Sequence, residues 1–156
     1  MKKVLKIFLV LFLICLGLYA YNKITTVSNP EPITVTEKIA EDGVYTSKDE
    51  VALYIHAYGK LPSNYISKSE AKKLGWVANK GNLLSVCDGC SIGGDKFTNR
   101  EENLPKKDGR QYYECDIDYK GGTRNAKRIV YSNDGLIYYT GDHYNTFELL
   151  YGEPNE

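Results

Sequence analysis

The sequence predicts an α+β domain in which short N-terminal helices pack on one face of a twisted antiparallel β-sheet. Three observations predict it. Two helix-start signals, Ser47-Lys48-Asp49-Glu50 and Ser67-Lys68-Ser69-Glu70, stand in the first part of the chain. Clear two-residue alternation begins only later and is strongest over 111–119. Asn133-Asp134-Gly135 then separates two runs rich in β-branched and aromatic residues, the pattern of a hairpin. Helices first and a meander of strands afterwards imply segregated layers rather than alternating β-α-β units.

Each element follows from its residues. In both Ser-x-x-Glu boxes the serine accepts from a backbone N–H of the first turn while the glutamate reaches back. Val51, Tyr54, Ile55 and Tyr58 follow the first box at helical spacing, and Gly59 is a C-terminal stop. The second box starts a short helix running through Leu74 and closed by Gly75, and 82–86 reads as a third, shorter helical piece. The first strand is expected over 91–97, with Gly93-Gly94 implying a bulge or a close backbone approach. Over 111–119, Tyr113, Cys115, Ile117 and Tyr119 share one face, with Tyr112, Glu114, Asp116 and Asp118 on the other. Strands over 127–131, 136–140 and 146–151 complete the sheet, and no internal repeat is visible.

The chain divides into three segments. Lys2, Lys3 and Lys6 precede residues 7–21, which carry no charge. That stretch has the length of a signal-peptide core and falls short of the roughly 20 apolar residues of a spanning helix. Ala20 suits a cleavage site, but Leu18 is bulky two positions earlier, so an uncleaved anchor stands beside the favoured cleaved signal. Either way the expectation for 1–21 is export. Residues 22–42, with Pro30 and Pro32 and no periodicity, read as a linker or pro-segment, and 43–156 as the folded domain.

The formal net charge of zero conceals an acidic balance in the chain beyond residue 21. Three of the 20 basic residues and none of the 20 acidic ones lie in 1–21, leaving 17 against 20, a net of −3. Bulk positive charge is therefore excluded as the basis of nucleic-acid binding, which would have to rest on a local cluster. Beyond 1–21 the cysteines are Cys87, Cys90 and Cys115. Cys87-Asp88-Gly89-Cys90 lacks the second ligand pair of a structural zinc site and the strand-then-helix setting of a redox motif. A small-loop disulfide or plain thiols are expected there, with Cys115 buried in a strand.

Few residues are placed to carry chemistry. His56 falls within the first helix, where a solvated or half-packed role is expected, whereas His143 sits in a turn between the last two strands. Glu114 and Asp116 lie on one face of a central strand, where two carboxylates repel unless cations answer them, and Arg124 and Arg128 are candidates to do so. The residues alone point to acid–base chemistry on an anion.

The stretch Lys60-Leu-Pro-Ser-Asn-Tyr-Ile-Ser-Lys-Ser-Glu-Ala71, followed by Leu74-Gly-Trp-Val-Ala78, resembles the barnase-type microbial ribonucleases. So do Ser91-Ile-Gly-Gly-Asp95, Phe97-Thr-Asn-Arg-Glu101, Arg124-Asn125, Ile137-Tyr138 and Asp142-His-Tyr144. The likeness runs in order over about residues 43–149. It implies a secreted, guanine-preferring endoribonuclease that cleaves single-stranded RNA to a 2′,3′-cyclic phosphate without a metal or other cofactor. It also implies a monomer restrained inside the producing cell by an acidic inhibitor of the barstar kind.

The same resemblance implies roles. Glu114 stands where the family places its general base and His143 where it places its general acid. Lys68, Arg124 and Arg128 match the cations around the phosphoryl oxygens, and Asp95 and Asp116 match the carboxylates that hold those cations. Phe97, Thr98, Asn99, Arg100 and Glu101 match the base-recognition loop, with backbone amides donating to guanine O6 and the Glu101 carboxylate accepting from N1 and N2. Tyr144 is expected to stack on the base. Gly135 and Tyr112 stand where the family has tryptophan and Thr123 where it has an aromatic residue, and the cysteine pair and the acidity depart too. A fold that binds RNA or a protein without cleaving is the competing expectation, and a tethered toxin displayed by an uncleaved anchor is the third.

Overall fold

The structure, a computed structural model, describes residues 39–154; the expected signal or anchor at 1–21 and residues 22–38 of the expected linker lie outside the described residues. Helix α1 spans Lys48–Tyr58, with Ser47 accepting from the Glu50 amide and Gly59 ending it at φ 66. That left-handed backbone is what glycine adopts without a Cβ clash. Glu50 bonds the Ser47 hydroxyl rather than its amide, so the reciprocal half of the first box is not made. Strand β1 is only Tyr65–Ile66. Helix α2 (Lys68–Lys73) carries a complete capping box, with Ser67 and Glu70 satisfying each other's backbone. A 3₁₀ turn at Ala78–Lys80 and helix α3 (Leu83–Val86) follow.

The remaining strands are β2 (Ser91–Phe97), β3 (Tyr112–Asp116), β4 (Arg128–Ser132), β5 (Ile137–Thr140) and β6 (Glu148–Tyr151). They form one six-stranded sheet in chain order. Every pairing is antiparallel except β1 with β2, which is parallel. β1 escapes a sequence reading because two residues are too few to show alternation. β3 is shorter than the nine residues expected: Asp118 takes φ 55 and donates its amide to Thr46 O, which turns the chain out of the sheet. The register of β2 against β3 shifts between Gly93 and Asp95. A Cβ on Gly93 would lie 2.7 Å from Cys115 Cβ and from the Tyr65 ring, so only glycine lets β1 and β3 approach this closely.

Both faces of the sheet are covered. On one, Val51, Ala52 and Ile55 of α1 pack on Cys115, Ile117, Ile129 and Ile137. Ala71, Trp76 and Leu83 form a second core with Ile92 and Tyr119. Leu104, Tyr112, Val130, Leu136 and Tyr138 form a third, with Phe97, Tyr144 and Phe147 against it. Residues 39–42, read from sequence as the end of the linker, are docked: Ile39 is buried, and the Tyr54 and Tyr58 hydroxyls donate to the carbonyls of Glu41 and Ile39. Cys87 and Cys90 are joined as a disulfide, and Cys115 is a buried free thiol.

Candidate active site

Strand β3 positions the centre. Its alternation turns Glu114 and Asp116 to the face opposite Cys115, and its register sets Glu114 beside Asp95 of β2 and Asp116 beside Arg128 of β4. Both carboxylates are buried, Asp116 to 1% exposure, so each needs partners to stay charged.

The partners of Glu114 arrive from elements far away in sequence, those of Asp116 from the connection to β4 and from β4 itself. Lys68 opens α2, and its Nζ lies 2.5 Å from Glu114 Oε1. The other oxygen, Oε2, accepts the hydroxyl of Tyr144. Asp116 is gripped by Arg124, whose Nε and Nη2 donate at 2.7 and 2.6 Å to its two oxygens. Arg128 Nε lies 3.0 Å from Asp116 Oδ1 without hydrogen-bond alignment, while its Nη1 donates to the Lys127 carbonyl at 2.6 Å. Burial pushes the Glu114 carboxyl up, but hydrogen bonds from Lys68 and Tyr144 and the charges of Lys68 and Arg124 outweigh it and hold Glu114 below its ordinary value. Glu114 is therefore an ionised carboxylate at neutral pH.

Asp95 holds Lys68 through its backbone. Its Oδ2 accepts the backbone amide of Lys68 at 3.0 Å, so it anchors the start of α2 rather than the lysine's ammonium. The Lys68 side chain is left to reach Glu114.

The turn between β5 and β6 brings His143 and Tyr144, both in left-handed backbone at φ 59 and 73. Asp142 organises it: one oxygen accepts from the Thr140 hydroxyl and the amides of Asn145 and Thr146, the other from the Thr146 hydroxyl. This role was missed from sequence, although an Asp with Thr four residues on in a turn is a readable signal. The His143 ring is exposed, 4.9 Å from the Tyr144 ring, and its amide donates to Ala126 O. The other histidine, His56, stacks on Tyr151 at 4.3 Å.

The 97–101 loop leaves the end of β2 beside that turn. Asn99, at φ 47 and buried, both donates to and accepts from Leu104, so its side chain closes the loop on itself. Thr98, Arg100 and Glu101 are exposed. The loop and the turn touch: Phe97 packs on Tyr144 at 5.2 Å, and Asn103 Nδ2 donates to the Tyr144 carbonyl at 3.5 Å. A concavity of about 560 Å³ lined by Lys96, Thr98, Lys106 and Arg110, among others, adjoins the loop but includes neither Glu114 nor His143. Lys68 and Arg124 of the carboxylate and arginine cluster are part-exposed, and His143, beside Tyr144 in the chain, is exposed.

The Tyr144–Glu114 bond carries no sequence signal, since its partners stand 30 residues apart. The arrangement combines an ionised carboxylate, three cations and an exposed imidazole, a set suited to moving protons around an anionic centre.

A family model described as ribonuclease matches residues 48–151. The chain is 49% identical to a ribonuclease of Bacillus intermedius, with 85% of this chain and 83% of that protein covered. It is 46% identical to one of Bacillus pumilus over 96% and 99%. With one of Heyndrickxia coagulans it shares 58% identity over 69% and 98%. The family model spans the whole described sheet and its site, and the chain belongs to the barnase-type microbial ribonucleases.

Proposed function

We propose that this ribonuclease is a guanine-preferring endonuclease that cleaves single-stranded RNA by internal transesterification. The observation that carries the reading is Glu114, kept ionised against burial and flanked by the Asp116–Arg124–Arg128 cluster. In this reading Glu114 takes the proton of a ribose 2′-hydroxyl. The 2′-oxygen bonds to phosphorus, and the bond from phosphorus to the departing 5′-oxygen breaks. Protonated His143 gives its proton to that oxygen, leaving a 2′,3′-cyclic phosphate.

Lys68, Arg124 and Arg128 neutralise charge growing on the phosphoryl oxygens, and Asp116, hydrogen-bonded to Arg124 and ion-paired with Arg128, orients them before substrate arrives. The exposed Thr98, Arg100 and Glu101, on a loop closed by Asn99, recognise guanine through backbone amides and the Glu101 carboxylate. Residues 1–21 direct export, the enzyme acts as a monomer, and an acidic intracellular inhibitor protects the producer.

The test is cleavage of a short single-stranded RNA by the mature chain with EDTA present, products read by mass. Cuts after guanosine ending in a 2′,3′-cyclic phosphate are expected. His143→Ala and Glu114→Gln each lose about 10²–10⁴-fold in rate while keeping the fold. Full activity of the His143 variant, or a folded wild type that binds RNA without cutting it, would overturn the reading.

A further inference from the structure

We propose that Tyr144 is the positioning residue of Glu114: its hydroxyl orients the carboxylate through Oε2 and sets its basicity, and its main chain and ring tie that carboxylate to the 97–101 loop. The inference rests on the reading of Glu114 as the general base. Three contacts carry it. The hydroxyl donates to Oε2 while Lys68 holds Oε1, so neither oxygen is free to rotate. The Tyr144 ring packs on Phe97, the residue from which the loop departs. The Tyr144 carbonyl accepts from Asn103, two residues beyond that loop.

A carboxylate oxygen has two lone pairs, so the Tyr144 bond leaves room for an incoming 2′-hydroxyl on Oε2. It also stabilises the ionised form, which keeps the base charged into mildly acidic solution at some expense in proton affinity. The groups facing Glu114 from other elements are Lys68 of α2, Arg124 of the β3–β4 connection, Asp95 and Arg128 on the neighbouring strands, and Tyr144 itself. Among the described residues, Lys68 and Tyr144 are the side chains hydrogen-bonded to the Glu114 carboxylate. Removing the tyrosine hydroxyl therefore removes one of its two anchors. Burial and the Glu114 charge together hold the Tyr144 hydroxyl in its protonated, donating form.

Tyr144→Phe keeps the ring on Phe97 and deletes only the hydroxyl. The Glu114 carboxyl, followed by carbon NMR in the free protein, should then titrate roughly one pH unit higher. The acid limb of kcat/KM for RNA cleavage, which reports the free enzyme, should move up by the same amount, with KM at neutral pH for a guanosine substrate within about twofold of wild type. Reciprocally, Glu114→Gln should lower the Tyr144 hydroxyl's ionisation by the part owed to Glu114, the larger part owed to burial remaining, a readout independent of whether the phenylalanine variant folds. An unchanged Glu114 titration in folded Tyr144→Phe, or a raised KM with an unmoved acid limb, would overturn the proposal. Should the wild type cut no RNA, the general-base reading fails, and the free-protein titrations still decide whether Tyr144 governs Glu114.

Discussion

At the scale of single residues, the site is built on charges that are stable only together. Asp116 is almost fully buried and meets two arginines, Arg124 bidentately and Arg128 at 3.0 Å. Desolvating three ions is costly, and the arrangement holds because each charge is answered. Asp116→Asn leaves two cations facing a neutral amide, and a loss of about 3 kcal/mol in urea-unfolding stability is expected. A loss below about 1 kcal/mol would mean that solvent already screens the cluster. Glu114 adds a pH dependence of definite sign. Its folded value lies below the ordinary carboxylate range, so its contribution to stability is present above that range and is lost as pH falls through the folded value. Cys115 is the opposite case, a thiol whose ionisation burial pushes strongly upwards, and it is inert in the core.

At the scale of elements, β3 and the β5–β6 turn divide the work. β3 has sheet partners on both sides, so its side chains are held by two ladders, while most of the hydrogen bonds within the turn converge on one carboxylate. Asp142 is lowered to about 2, mainly by the Thr146 hydroxyl and amide. Its contribution is thus present above its ordinary value near 3.8 and disappears as pH falls towards 2. Melting temperatures of wild type and Asp142→Asn should therefore differ near neutral pH and converge as pH approaches 2. A gap that persists undiminished at pH 2 would exclude this origin. Asp142→Asn should also lower kcat for RNA cleavage, because His143 and Tyr144 hold left-handed backbone only while the turn is clipped.

At the scale of the whole molecule, the fold concentrates cations in an acidic protein. The exposed Asp88 and Glu153 lie outside the hydrogen-bonded cluster and add to a field that opposes RNA. Asp88→Lys with Glu153→Lys should raise kcat/KM for RNA about two- to fivefold at low salt with kcat unchanged. The gain should vanish above roughly 0.5 M salt, where screening removes long-range steering. A change in kcat itself would show that the substitutions act on the site rather than on encounter. β1 joins edge-on and parallel, and Gly93 lets it close on β3, which carries α2 and Lys68 into reach of Glu114.

Much of this was determined by the sequence alone, because the physics concerned is local. Ser47 and Gly59 bound α1, Ser67 and Glu70 start α2, and Gly93-Gly94 mark the irregularity in β2, all from interactions within a few residues. Alternation in β3 set Glu114 and Asp116 on one face and Cys115 on the other. The resemblance supplied the residues to watch. Only the tertiary structure decided who partners whom. Lys68 and Glu114 are 46 residues apart, Tyr144 and Glu114 30 apart, and Asp95 holds the Lys68 amide across 27. The two-residue β1 and the docking of Ile39 were equally out of reach. Such pairings depend on strand register and on how helices seat against the sheet, and those are settled by burial of three apolar cores rather than by any local run of residues.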